Sequence, residues 1–318
     1  MGLITDIENR ETVEVVAAGL ENDQPIAAQS GAGAARARGP WARAWSRFRR
    51  HRLAFGSLIF AVLLCVTAIA APLIAPYGYG ETDIANKLVG PGTGGHLLGT
   101  DLLGRDIFSR LVYGLRTALT VAFGAELTAL TLALVIGLAA GYLGGRVETT
   151  LMAATDVMYA FPSYLFAVVM VTVLGRSIFA LVIAIGIASW VTQARLVRAQ
   201  VLALKQREYV EAARSMGAKG PTIAVRYILP NAIGPILVTT SFAIPAAIAA
   251  EAGLALLGLG VQPPTPSWGA MISEGSRYLL AAPHMLIAPA VLFALTLLAF
   301  TWIGDGVRDA FDSSGEQR

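Results

Sequence analysis

Long stretches without charged residues constrain this chain more than any other feature. No residue from Leu53 to Gly80 carries a charge, and a transmembrane helix needs about 20 consecutive apolar residues. Of the 318 residues, 55% are hydrophobic and only 14% are charged. The sequence therefore predicts an all-α polytopic membrane protein and not a soluble globular one.

Six apolar segments follow one another, separated by polar stretches. The predicted spans are Ala54 to Ala75, Thr117 to Tyr142, Thr150 to Leu174, Ser177 to Ala194, Ile228 to Ala250 and Leu286 to Gly304. Together they form a six-span domain over residues 54–312, with a polar outer segment at residues 77–116 and a loop at residues 195–227. Six spans leave both ends of the chain on one side of the bilayer.

The regions that flank the spans are polar. Residues 1–40 lack the apolar run of a cleaved signal and predict a disordered tail, and residues 313–318 predict a short C-terminal tail. Residues 41–53 interleave aromatic residues with Arg just before the first span. This pattern is typical of an interfacial segment that lies on the lipid bilayer.

The distribution of positive charge predicts the orientation. With the N-terminus inside, 18 of the 24 Lys and Arg residues lie in inner segments and 6 in outer ones. Positive residues collect on the cytoplasmic side of membrane proteins, so both termini and the loop at residues 195–227 are expected in the cytoplasm, at the bacterial plasma (inner) membrane. The net charge of +3 is mild and does not suggest binding to nucleic acid.

The sequence predicts neither a nucleotide site nor an active site in this chain. A phosphate-binding loop needs Gly before its Lys, whereas Lys87, Lys205 and Lys219 follow Asn, Leu and Ala. The three His residues are far apart, and the single Cys65 lies in an apolar run. We therefore expect a non-enzyme with no catalytic residues and no metal or cofactor of its own.

A charged segment in the inner loop predicts a docking helix. Residues 208–217 contain good helix formers, and Gly217 supplies a stop. At helical spacing Val210, Ala213 and Gly217 share one shallow face, with charges of both signs around it. We expect this shallow face to let a partner's backbone approach closely.

The spacing of this segment resembles a known motif. Glu211-Ala212-Ala213, Gly217 and Leu229-Pro230 match the EAA loop of ABC importer permeases, a cytoplasmic helix that seats in a groove of the nucleotide-binding subunit. HLLGTDLLGRDIFSRLVYGLRTAL at residues 96–119 and AEAGLALLGLGVQPPTPSWGAMISEG at residues 250–275 resemble the oligopeptide and dipeptide permease C family, which includes nickel importers. The resemblance extends from about Arg49 to Asp312.

The resemblance implies a type I ABC importer permease architecture, in which this chain forms half of a translocation pathway. A homologous second permease would complete a heterodimer, and two cytoplasmic ATP-binding subunits would hold ATP and Mg²⁺. An extracytoplasmic binding protein would deliver a di- or oligopeptide, with nickel chelates and glutathione as alternatives. The residues implied to couple to the ATPase are Arg207, Glu208, Glu211, Ala212, Ala213, Gly217 and Ala218.

Three acidic residues lie within or at the ends of the spans. A charge inside a membrane is energetically costly, so such residues usually have a function, and we regard these three as candidates for a pathway or gate. Glu126 lies mid-span and needs a partner, a proton or water. Asp156 is expected to snorkel or to pair with Arg146, and Glu251 to line an outer gate or cap backbone donors. A proton-coupled secondary transporter using Glu126 and Asp156, or a non-transporting receptor, would be a different class of protein.

Two outer stretches complete the set of candidates. Asp101, Arg105 and Asp106 predict a hydrogen-bonded turn before an amphipathic outer helix, with Arg105 paired to one of the two aspartates. Pro263 and Pro264 stiffen a loop that ends at Trp268; it is expected to contact a binding protein, to close over the pore, or only to tie two spans together. Further expectations are a kink at Pro162, bends at Pro235 and Pro245, and a helix-packing ridge at Gly137, Gly141 and Gly145.

Overall fold

A computed structural model describes residues 40–311, and these residues form helices joined by turns. The predicted tails at residues 1–40 and 313–318 lie outside this range except for Pro40. Within it, β-pairing is limited to two isolated bridges, Thr93 with His96 and Thr100 with Asp106. The helices are α1 (Pro40–Arg50), α2 (Arg52–Ile69), α3 (Ile107–Leu143), α4 (Gly145–Ala160), α5 (Ser163–Leu174), α6 (Ile178–Leu204), α7 (Glu208–Ser215), α8 (Leu229–Leu256), α9 (Trp268–Ser276) and α10 (His284–Phe311).

Shorter helical pieces lie between these elements. They are Ala71–Ile74, the 3₁₀ turn Ile84–Asn86, the turn Gly220–Thr222 and the π-helical segment Ile223–Ile228, which leads into α8. The packing described below belongs to one compact unit that begins at Arg43. In it α1 lies against α2 and α10, where Phe48, Ala54 and Ala310 form a small buried cluster.

Five helical segments in the described range are long and apolar enough to cross a membrane, which confirms an all-α membrane protein. The predicted third span, Thr150 to Leu174, is present as a bent pair, because α4 and α5 meet at 87°. Phe161 is extended between them and Pro162 precedes α5. The kink expected at Pro162 is therefore a sharp bend: Pro162 cannot continue the hydrogen-bond ladder of α4, and the chain turns between the two helices.

Helix α3 is longer than the predicted second span. Its 37 residues extend for about 55 Å at ~1.5 Å per residue, more than the ~30 Å of bilayer hydrocarbon. The amphipathic outer helix expected before this span is the first part of the same helix, since no Gly or Pro interrupts the chain at Arg116 and Thr117. Helix α3 thus reaches from the outer segment to the inner loop.

Close packing of α3 on α6 depends on glycines, as expected for Gly137 and Gly141. A Cβ atom added at Gly137 would lie 2.6 Å from Cβ of Val197, and one at Gly141 would lie 2.7 Å from Cβ of Val201. At Gly145 the space is open, so the ridge ends earlier than predicted. The two helices approach closely enough for polar side chains in mid-membrane to meet.

Helix α8 runs on through both of its prolines. Pro235 and Pro245 lie inside the continuous helix Leu229–Leu256, and Pro289 likewise lies inside α10. Helix α8 packs on α3, α6, α9 and α10.

Candidate functional site

The face of helix α7 that was expected to contact a partner packs instead against the rest of this chain. Val210 and Ala213 are fully buried, and Val210 belongs to a cluster with Val197, Val201 and Ile223. The predicted contact face is therefore wrong for Val210 and Ala213, because burial of these apolar side chains inside the permease is what holds the helix in place.

The opposite face of α7 is open. Tyr209 and Met216 expose 38% and 77% of their surface, large fractions for such side chains, and Ala218 is half-buried. The exposed positions also include residues predicted for coupling, namely Arg207, Glu208, Glu211, Ala212 and Gly217. A face with charges of both signs and an exposed methionine suits a protein partner.

Gly217 ends α7 in a defined way. Its φ is +84°, a conformation that glycine adopts readily. The N–H of Gly217 donates to the carbonyl of Arg214 at 3.0 Å, and the N–H of Ala218 to that of Ala213 at 3.1 Å. This pair of bonds is a Schellman motif. Gly217 is required by the turn itself, and its surroundings are open.

The inner loop is tied to the end of α3. Lys205 Nζ donates to the carbonyl of Tyr142 at 2.6 Å and lies 5.4 Å from the centre of its ring. A Cβ atom at Gly220 would lie 3.0 Å from the same ring. Residues before and after α7 therefore both lie against Tyr142, which ties the inner loop to the end of α3.

Glu126 has a partner that the sequence analysis did not name. Gln193 Nε2 donates to both carboxyl oxygens of Glu126, at 2.9 and 3.0 Å, and the two side chains are only 6% and 4% exposed. The residues are 67 positions apart, on α3 and α6. An available signal was that Gln193 is a polar side chain within the predicted fourth span, but its place at the end of that span did not match the mid-span position of Glu126.

Asp156 pairs with Arg195, and the expected pairing with Arg146 is wrong. Arg195 Nη2 lies 2.6 Å from Asp156 Oδ1, and its guanidinium carbon lies 4.1 Å from the centre of the Tyr159 ring. The side chain of Asp156 is 66% exposed. One turn further along α6, Arg198 Nε donates to Glu148 at 2.8 Å. These contacts fasten the broken α4 segment to α6.

Glu251 lies near the end of α8 and is 1% exposed. In the part of the chain that the structure describes, neither carboxyl oxygen accepts a hydrogen bond. The expected capping of backbone donors is therefore not observed. A place in an outer gate stays a prediction.

The outer segment contains a buried network of charges. Arg105 Nε donates to Asp101 Oδ2 at 2.6 Å, which confirms one of the two expected pairings. Asp106 instead caps α3 by accepting from the N–H of Ser109 at 2.7 Å, and its other oxygen lies 3.0 Å from His96 Nδ1. These partners make Asp101, Arg105 and Asp106 structural residues of the turn.

A second turn of the outer segment packs against this network. The pKa of the Asp83 carboxyl lies below its ordinary value, mainly because the Asn86 side chain donates to it at 2.8 Å. Gly104 has a φ of +73°, and a Cβ atom there would lie 1.7 Å from the carbonyl oxygen of Asp83. Only glycine fits where these two turns meet.

The proline-rich outer loop has an exposed and a buried part. Pro263 and Pro264 are exposed and are joined by a cis peptide bond. Trp268 is fully buried, starts α9, and donates from Nε1 to the carbonyl of Leu111 at 3.1 Å. The expectation that Trp268 could contact a partner is wrong, because its ring anchors α9 to α3.

Comparison with known sequences identifies the family. The sequence model of the family described as "Binding-protein-dependent transport system inner membrane component" matches residues 133–314. A second model, "N-terminal TM domain of oligopeptide transport permease C", matches residues 39–91.

Named relatives match most of the chain. The glutathione transport system permease protein GsiD of Pectobacterium atrosepticum is 42% identical over 278 residues, 86% of this chain and 91% of its own length. The oligopeptide transport system permease protein OppC of Bacillus subtilis is 40% identical over 272 residues, 86% and 89%. The dipeptide transport system permease protein DppC of Alkalihalophilus pseudofirmus is 40% identical over 273 residues, 86% and 90%.

A solved structure shows the same fold. A chain of the inward-facing MetNI methionine ABC transporter aligns with a TM-score of 0.53 at 18% identity, covering 65% of this chain and 98% of that one. The chain therefore belongs to the binding-protein-dependent transport system inner membrane components, the permease subunits of ABC importers.

Proposed function

We propose that this permease carries di- or oligopeptides inward, and that α7 couples the movement to ATP hydrolysis in a partner. The observation that supports coupling is the arrangement of α7. One face of the helix packs on the permease through Val210 and Ala213, while the opposite face is exposed. A helix held on one side and open on the other can transmit a push from a docked ATPase.

The substrate class is supported by the relatives. Their names refer to oligopeptides, dipeptides and glutathione, and each of these ligands is a peptide. A nickel chelate remains the alternative cargo. The substrate would reach the chain from an extracytoplasmic binding protein, so that part of the selectivity lies outside this permease.

The assembly that we propose has four further components besides the substrate. A homologous second permease forms the other half of the pathway, two cytoplasmic subunits bind ATP and Mg²⁺, and a binding protein docks on the outer face. This chain is a non-catalytic subunit in the inner membrane with both termini in the cytoplasm. Closure of the ATPases would then draw the docking helices together and rock the spans.

Affinity purification of the chain from its native membrane in mild detergent, with mass spectrometry, tests this assembly. We expect one homologous permease, one or two kinds of ATPase and a binding protein, whose bound ligand then identifies the cargo. Recovery of the chain alone or as a homodimer, without an ATPase, would overturn the proposal.

A further inference from the structure

A cavity of about 410 Å³ lies between α5, α6 and α8. Of its fourteen lining residues, six carry a hydroxyl or an amide. They are Ser163, Tyr164, Ser189, Thr192, Gln193 and Thr239. The rest of the lining is mostly alanine, so most of the side chains that face the cavity are short. We call it the hydroxyl-lined cavity.

A second groove of the same chain provides a comparison. It has a volume of about 620 Å³ and lies between α2, the start of α3, and α10. Among its thirteen lining residues only Thr67 is polar, and the others include Leu64, Val291 and Leu295. This is the composition expected of a surface that faces lipid. The two differ in the residue types that line them, although the surface that each presents is mostly apolar.

Gln193 gives the hydroxyl-lined cavity a specific chemistry. Its Nε2 is used by Glu126, which fixes the orientation of the amide. Its Oε1 has no hydrogen-bond partner in the described part of the chain, and a buried acceptor without a partner is costly. The free oxygen belongs to a side chain that lines the cavity. The oxygen itself is buried, and a small movement of the side chain would bring it to an N–H group of a molecule inside.

We propose that the hydroxyl-lined cavity forms part of the translocation pathway, and that Gln193, oriented by Glu126, accepts a hydrogen bond from an N–H group of the passing peptide. The ligand class is set by this acceptor, because a peptide always offers amide or ammonium donors. The hydroxyls of Ser189 and Thr239 already donate to carbonyls of their own helices, so they offer a peptide backbone their acceptor lone pairs. The short alanine side chains leave room for peptide side chains of different sizes. This inference rests on the proposed peptide substrate.

Cysteine labelling tests the location of the pathway. The chain has one cysteine, so Cys65→Ala gives a clean background. In the complete complex, Ala246→Cys places a thiol at an exposed position in the cavity, and Val291→Cys places one in the apolar groove as a control. A charged, membrane-impermeant methanethiosulfonate reagent should modify position 246 and not 291, and dialanine with its binding protein should slow the reaction at 246.

Two results of this experiment would overturn the inference. If position 246 is as unreactive as 291 both with and without ATP, the cavity does not face water. If position 246 reacts and dialanine gives no protection although the same complex transports labelled dialanine, the peptide does not pass there. If labelled dialanine is not transported at all, the peptide substrate is wrong, and the reactivity of position 246 still tests whether the cavity is aqueous.

A pair of substitutions tests the acceptor. Gln193→Met and Glu126→Leu both remove the hydrogen bond between α3 and α6, but only Gln193→Met removes the free amide oxygen. Both should lower the melting temperature of the complex. We expect the KM for dialanine uptake to rise about tenfold more in Gln193→Met, a factor that corresponds to about 1.4 kcal/mol. Since Glu126 orients the amide, its loss should raise the KM by a smaller factor, and a KM in Gln193→Met no higher than in Glu126→Leu would assign Gln193 a structural role alone.

Discussion

Gln193 on α6 and Glu126 on α3 are joined in mid-membrane by two hydrogen bonds, at 2.9 and 3.0 Å, from one amide nitrogen. A buried carboxyl group needs such donors, because lipid and apolar side chains offer none. Each helix thus supplies the partner that the other lacks. The contact also fixes how α6 is rotated against α3, on the same pair of helices as the glycine-mediated packing at Gly137 and Gly141.

Substitution of Glu126 tests the structural share of this contact. Glu126→Leu leaves the Gln193 amide without an acceptor and should destabilise the complex by about 1–3 kcal/mol. Glu126→Gln keeps an acceptor and should cost less. The melting temperatures of the purified complexes measure the difference. Two variants that melt together with the wild type would show that the contact does not stabilise the fold.

Two neighbouring alanines test the orientation of α7. Ala213→Leu forces extra atoms into a fully buried site and should destabilise the chain by about 1–3 kcal/mol. Ala212→Leu, the same change at an exposed position, should leave the melting temperature unchanged and reduce co-purification of the ATPase. The opposite pattern, with the ATPase lost only in Ala213→Leu and stability lost only in Ala212→Leu, would contradict the seating described here.

Gly217 allows the turn and the docking surface to be separated. Because its φ is +84°, Gly217→Ala should cost about 1–2 kcal/mol, whereas Gly217→Asn should cost less, since Asn tolerates this conformation. Gly217→Arg adds a long side chain at an exposed position and should also abolish ATPase-dependent uptake. Thermal melting and uptake are measured on the same preparations. Normal uptake by Gly217→Arg at wild-type expression would remove α7 from the coupling surface.

Two glycines of the outer segment differ only in their surroundings. Both Gly92 and Gly104 have a positive φ, but a Cβ atom at Gly92 meets no neighbour, whereas one at Gly104 meets the backbone of Asp83. Gly92→Ala should cost about 1–2 kcal/mol of strain. Gly104→Ala should cost more and open the outer segment to protease. Equal protease resistance in the two variants would show that the turns at Asp83 and Gly104 are not packed as described.

The helical class and most spans could be predicted because they depend on local composition. Charge-free runs mark the spans, and the spacing of Gly217 marks the end of α7. A break at Pro162 could also be predicted, but the angle between the two helices could not. A proline removes the same backbone hydrogen bond whether the helix bends slightly or the chain turns sharply. The 87° angle depends on what α4 and α5 pack against.

Contacts between distant residues could not be read from the sequence. The face of α7 was assigned wrongly because small residues suit either a partner or the chain's own core, and only the positions of Val197 and Ile223 decide between them. Asp156 had Arg146 nearby in sequence, yet Arg195 lies closer in the fold. Trp268 was placed in an exposed loop because nothing local indicates that its indole reaches Leu111 on α3.

The most direct test of the account is peptide uptake into proteoliposomes that contain the purified complex, with the binding protein and labelled dialanine outside and ATP inside. We predict uptake that requires both ATP and the binding protein and that is unaffected by a protonophore. Uptake that persists without ATP and collapses with a protonophore would contradict the account and identify a proton-coupled transporter instead.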